Sequence, residues 1–336
     1  MNRRWPALAA VAAACSLAIA GCSSGGGQTA KPTTAPPKPS ASATPEPPAT
    51  SPFTGLRHGA HNPVIAVKID NTHEAHPQAG LTKADIVYVE QVEGGVTRLM
   101  GVFSSHLPSK FGPVRSARIS DLHILRQFGH PAFAYSGAQG KLKPDIKKAP
   151  LYDVSPDHAG GAYSRDGGRT VPYNLFASPK QLLKRAPKAS RAKDIGFTFG
   201  DAPAGGKKVS SYDVRYPGAT FGFHWSSKRK KWNVRADGSA DMAAEGGQLA
   251  APTIVVQWAD VGRSRFHDFL GNYTPLIHST GKGTATVLRD GRAYKAKWSR
   301  PSESKGTTFT TSDGKPMNFH TGQVWVLLAS KKPHVP

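Results

Sequence analysis

The chain has 336 residues, with 44 Lys and Arg against 22 Asp and Glu and a formal net charge of +22. Apolar residues make up 38%, alongside 35 Gly and 28 Pro, which excludes a multispan membrane protein and a collagen-like fibre. Two cysteines exclude a disulfide framework and a cysteine-rich metal site.

Residues 1–21 read as an export signal. Arg3 and Arg4 form a short basic start, followed by an Ala/Leu/Val/Ile-rich run too short for a stable spanning helix. The run ends in Ile19-Ala20-Gly21-Cys22. An aliphatic residue, two small residues and Cys resemble the bacterial lipobox, in which the thiol takes a diacylglyceryl group before cleavage. Cys22 is the expected lipidation site; the alternative is an ordinary signal peptide with an incidental cysteine. Cys15 lies within the signal and would leave with it, so thiol nucleophiles and thiolate metal sites are not expected.

Residues 22–52 are the lipidated Cys and a linker. Of the 30 residues from 23 to 52, 26 are Pro, Ala, Ser, Thr or Gly, and eight of these are Pro. No apolar periodicity is present, so no core can form there. Extended polyproline II at roughly 3.1 Å per residue would reach about 90 Å from the membrane. The rest, 53–336, carries 40 basic and 21 acidic residues, split almost evenly between its halves. Such a surface, outside the membrane, favours an anionic cell-wall polymer or an envelope protein as partner over nucleic acid. The plainer reading is a solubilising positive surface.

In the first half, 53–200, the run VIAVKI (64–69) predicts a strand with Asp70 and Asn71 at its carboxyl end. Residues 84–92 and 96–104 predict two more, and Gly94-Gly95 between them signals a two-residue hairpin. That register sets Glu90 opposite Leu99 and puts Ile86, Tyr88, Glu90, Leu99 and Phe103 on one face. Glu90 then lies either at the wet edge of that face or within it, with a raised pKa. A helix is expected over 116–128, with Ile119, Leu122 and Leu125 as its apolar stripe and Gly129 with Pro131 as its stop. Arg115 and Arg118 at its start are suited to a phosphate or carboxylate. The competing reading is that they pair internally with Asp70, Asp121 or Glu93. Further on, residues 131–136 predict a strand, and Ser178-Pro179 opens a short basic helix.

The run VIAVKIDNTHEAHPQAGLTKADIVYVEQVEGGVTRLMGVF (64–103), then GPVRSAR (112–118) and YSRDGGRTVPYNLF (163–176), resemble the YerB-like bacterial lipoproteins. Gln91 stands near an acidic family position, Tyr173 where His is expected, and Tyr135-Ser136-Gly137 in place of His-Ala-Gly. These departures count against a mechanism needing His there. The resemblance implies an extracytoplasmic lipoprotein and no assigned activity.

The second half, 201–336, is short strands punctuated by turn signals at Asp237-Gly238, Asp290-Gly291 and Asp313-Gly314. A β-rich domain, sandwich or partly open barrel, is the expected form. Its stretches GKGTATVLRDGRAYKAKWSR (281–300) and GQVWVLL (322–328) also resemble the family. Trp225, Trp232, Trp258, Trp298 and Trp325 form either a sugar-stacking surface or core.

Neither a GxSxG elbow, a phosphate loop, a GxGxxG after a strand nor HExxH is present. No metal or cofactor is expected; His73-Glu74-Ala75-His76 reads as a loop before Pro77. The expected fold is α+β: an α/β-type N-terminal domain with a mixed sheet, then the β-rich domain. The leading function is non-catalytic binding, with Arg115 and Arg118 facing the anion and Asp70, Asn71, Glu90 and Arg98 lining the same cleft. The rivals are an envelope hydrolase or transferase using Glu90 or Asp70 as acid/base, and a structural scaffold or chaperone-like factor.

Overall fold

The computed structural model describes residues 50–268 and 270–336, so the signal, Cys22 and nearly all of the linker lie outside the described residues. The first half builds β1 (Ile65–Asp70), β2 (Ile86–Gln91), β3 (Thr97–Phe103), α1 (Ile119–Leu125), β4 (Ala132–Ala134), α2 (Lys143–Lys148), β5 (Tyr152–Asp153), α3 (Pro156–Ala159), β6 (Tyr163–Arg165), β7 (Leu175–Ala177) and α4 (Pro179–Arg185). β1 is buried along its whole length, which suits its unbroken apolar start. β1 runs antiparallel to β3 and parallel to β4, and β4 runs parallel to β5.

The second half begins with β8 (Lys207–Lys208), β9 (Ser211–Tyr216), β10 (Ala219–Ser226) and β11 (Lys231–Ala236), with β12 (Ser239–Ala240) and β13 (Ala250–Ala251) beside β11. Next come β14 (Thr253–Trp258), a hairpin of β15 (Val261–His267) and β16 (Tyr273–Ile277), then β17 (Gly281–Arg289), β18 (Arg292–Arg300), β19 (Thr308–Thr311) and β20 (Val324–Ala329). Asp237 and Gly238, and Asp290 and Gly291, all have positive φ, as their tight hairpin turns require.

One mixed sheet runs through both halves in the order β19-β18-β17-β14-β20-β2-β3-β1-β4-β5, with β8 beside β18. β20 joins the halves: it inserts between β14 and β2, parallel to both, and every residue in it is buried. On one face lie α1 and the β15–β16 hairpin, tied by Ser120, whose hydroxyl accepts from the Ile277 amide at 3.1 Å. On the other lies the antiparallel β9–β13 sheet, whose Phe221, Phe223 and Trp232 pack with Val87, Val89, Val256 and Trp325. The protein is thus mixed α+β with a β-rich C-terminal region, and no helix among the described residues is long and apolar enough to cross a membrane.

Two details correct the expectations. The β2–β3 link is five residues, not two: Val92 donates its amide to the Val96 carbonyl at 2.8 Å around a 3-10 turn at Glu93–Gly95. Glu90 therefore faces Arg98, not Leu99, and its face carries Met100 and Val102 in place of Leu99 and Phe103. The shift of one residue swaps the faces of β3. Its cause lies in the second half, where the Gly218 amide donates to the Gly95 carbonyl and a Cβ on Gly95 would stand 2.6 Å from Pro217. The helix also begins later than expected, at Ile119, and tightens into a 3-10 turn at Arg126–Phe128 before Gly129, whose φ is +82°. Trp232, Trp298 and Trp325 are buried and Trp225 and Trp258 half-buried, so these rings serve the core.

Candidate functional site

The stretch VKIDN brings Lys68, Asp70 and Asn71 to the carboxyl end of β1. Lys68 points into the sheet face covered by α1. Its Nζ lies 2.6 Å from Asp121 Oδ1 and 3.1 Å from Glu90 Oε1, and all three side chains are at most 1% exposed. Burial, reinforced by the Asp121 charge, lifts the Glu90 carboxyl to about 8 against the pull of Lys68. Burial thus favours the neutral form of Glu90, and of the two carboxyls Asp121 is the nearer to the Lys68 ammonium. Neither Glu90 oxygen has an aligned hydrogen bond among the described residues, despite the closeness of Lys68.

Asp121 also closes the first turn of α1, where its Oδ2 accepts the Arg118 amide at 2.6 Å. The helix start is thereby filled by a carboxylate from within. The Arg118 side chain forks onto Glu93, with Nε 2.6 and 2.9 Å from the two oxygens and Nη2 2.7 Å from Oε2. Burial alone would raise Glu93, but this fork and the Thr274 hydroxyl outweigh it and hold the carboxyl below its usual range. Arg115 Nε stands 2.5 Å from Asp70 Oδ2, close but out of line for a hydrogen bond. Asp70 Oδ1 accepts the Thr72 amide at 3.1 Å.

Arg98 differs. It is half-buried and donates to the Ser116 carbonyl at 3.3 Å. Among the described residues no carboxylate lies within 4.0 Å of it. Burial, followed by the neighbouring charges of Arg118 and Arg115, pushes its guanidinium down to about 10. Asn71 donates to the Thr97 hydroxyl at 2.9 Å, and the fully buried Gln78 donates to Asn71 Oδ1 at 3.0 Å and to the Asp70 carbonyl at 3.2 Å. The separate sequence motifs thus meet in one polar network.

Above the network a cleft of 410 Å³ opens outside the carboxyl ends of the parallel strands β1 and β4, the usual place for a ligand on such strands. Arg115, Ser136, Tyr163, Ser164, Arg165 and Pro172 line it. Arg115 is 22% exposed, and its guanidinium carbon is 5.7 Å from the centre of the Tyr173 ring. Arg165 is exposed and donates to Asn174 Oδ1 at 2.7 Å. Of the six sequence candidates only Arg115 lines this cleft, while Asp70, Asn71, Glu90, Arg98 and Arg118 belong to the network beside it. A larger cleft of 950 Å³, lined by Tyr212, Tyr294 and Lys295 among others, contains none of the six sequence candidates.

Lys68, Gln78, Ser136 and Arg165 escaped the sequence reading. A single Lys in an apolar strand is a buried-charge signal. Ser136 and Arg165 lay inside quoted stretches without being singled out, because the β6–β7 hairpin that carries Arg165 reaches the cleft only through tertiary packing. His76, considered as a ligand, faces Asp241 at 3.1 Å, and no group of three metal-ligating side chains is gathered among the described residues.

The chain matches the family described as protein of unknown function (DUF3048), its N-terminal domain over residues 53–193 and its C-terminal domain over residues 212–326. It belongs to that family. It is similar to the Bacillus subtilis (strain 168) protein named "Putative lipoprotein YerB", at 26% identity over 292 residues covering 82% of this chain and 85% of that protein. The crystal structure of YerB from Bacillus subtilis shares the fold, with a TM-score of 0.70 at 23% identity, covering 83% of this chain and 95% of that one.

Proposed function

We propose that this protein is an extracytoplasmic lipoprotein, tethered to the outer face of the cytoplasmic membrane through diacylglycerol on Cys22, that binds an anionic envelope ligand without catalysing a reaction. The tether rests on the lipobox-like residues and on a relative named as a lipoprotein. The observation that carries the binding reading is a surplus guanidinium. Lys68, Arg115 and Arg118 each lie within 4.0 Å of a carboxylate, whereas Arg98, beside two arginines, has none at that distance among the described residues. A half-buried positive charge of this kind is stabilised by an anion, and the adjoining cleft presents Arg115 and Arg165. The enzyme reading has less support, because Glu90 and Asp70 are each 1% exposed and Asp70 is already held by Arg115.

Two measurements test this. C22S is expected to lose diacylglyceryl labelling and to leave the membrane fraction; continued labelling would remove the tether. Arg165→Glu, at an exposed position, is expected to abolish retention on purified anionic cell-wall polymer while near-UV circular dichroism stays unchanged. Unchanged retention would discard the binding site.

A further inference from the structure

We propose that the ligand is a linear polyanion of phosphodiester-linked polyol units, laid along an extended groove, an inference that rests on the anion-binding reading above. Beside the first cleft lies a second of 540 Å³, lined by Lys143, Ile146, Lys147, Asp153 and His158 among others. Both clefts share Ser136 and Pro156. In this proposal the shared residues make them two lobes of one groove past the carboxyl ends of β4 and β5. Each lobe alone has the volume of a small-molecule site, so a ligand filling both has to be elongated.

The chemistry repeats along the groove. The first lobe offers the guanidiniums of Arg115 and Arg165 with the hydroxyls of Ser136 and Ser164. The second offers Lys147 and, one helical turn before it on the same face of α2, Lys143, whose contact with Asp157 is long and exposed. Its acids are already engaged. Asp153 accepts from the Tyr135 hydroxyl at 2.6 Å and the Ser155 amide at 3.0 Å and lies 3.3 Å from His158 Nδ1, while Asp157 lies 3.7 Å from Lys143 Nζ. Cationic groups in succession, with hydroxyl groups between them, match a chain in which singly charged phosphodiesters alternate with polyol hydroxyls. The guanidinium fork fits two phosphate oxygens at once.

The full chain in detergent, titrated calorimetrically with glycerol phosphate and its phosphodiester-linked dimer and tetramer, tests this. The tetramer is expected to bind at least about tenfold tighter than the single unit, an avidity gain from linked contacts. In the Lys143→Glu, Lys147→Glu double variant the ratio of tetramer to single-unit affinity is expected to fall to about one. Equal affinities for tetramer and single unit in the native chain would overturn the extended groove and leave anion binding standing. Polyglutamate binding as tightly as the tetramer would overturn the phosphodiester assignment. No binding by any of the glycerol phosphates or by polyglutamate would bring down the underlying reading as well.

Discussion

Lys68 and Arg115 both stand beside carboxylates near the carboxyl end of β1, yet their surroundings differ at every step. Lys68 is fully buried and its partners Glu90 and Asp121 are sealed with it. Arg115 is 22% exposed, its partner Asp70 is buried, and its outer side lines a cleft. The first cluster is sealed from solvent, so its charges must be settled internally, and burial pushes the Glu90 carboxyl toward its neutral form. The second is partly open to solvent, so part of its charge can be answered from outside the protein. One polar network thus holds the sheet at its inner end and presents positive charge at its outer end.

The largest effect that would break this contrast comes from the inner end. K68M would leave the Asp121 charge buried beside Glu90 without its cation, and the loss is expected to be about 3–5 kcal/mol, read by urea unfolding. Adding Asp121→Asn and Glu90→Leu to K68M removes the stranded charges, and most of the loss is expected to return. The Asn still accepts the Arg118 amide at the helix start. A K68M protein as stable as the native chain would mean that Lys68 does not balance the cluster.

The next test is pH. The folded-state pKa of Glu90 is raised, to about 8, so between the ordinary Glu range and pH 8 the folded protein holds a proton that the unfolded chain has released. Stability from this group is therefore complete at low pH, declines as pH rises toward 8 and is gone above it. The slope is at most about 1.4 kcal/mol per pH unit for one proton. Glu90→Gln is expected to flatten that slope, so that native chain and variant diverge in urea titrations between pH 5 and pH 8, with no further divergence above that window. Parallel curves would show that Glu90 is ionised in the folded protein and would erase the contrast with the outer cluster.

Much of the framework was legible in the sequence, and the reason is local. β1 follows from its unbroken apolar run, and β9 and the β17–β18 hairpin from alternation and an Asp-Gly turn, signals that act over a few residues. The insertion of β20 between β2 and β14 was not legible, since its apolar run says only that both faces are buried. The β2–β3 register was misread because Gly94-Gly95 signals a turn but not its length, which the packing of Gly95 against Pro217 decides. The candidate site divides in the same way. Arg115 and Arg118 stood out beside a helix start, and their pairing with Asp70 and Glu93 was one of two open readings. Arg165 lay in a polar stretch whose place at the cleft depends on β6 and β7 folding back near β4.

The smallest expected effect is also the one that separates the two ends most cleanly. Arg165 is exposed and its hydrogen bond runs to Asn174, a neighbour in the same hairpin. A surface change of this kind alters stability by no more than about 0.5 kcal/mol. Arg165→Glu is therefore expected to unfold in urea at nearly the native midpoint, even as its retention on anionic polymer is lost. Inner-end variants show the opposite pattern, large losses of stability with the cleft's exposed cations untouched. If Arg165→Glu instead destabilised the protein by several kcal/mol, the outer guanidinium would belong to the same structural account as Lys68, and the cleft would have no charge held in reserve for a ligand.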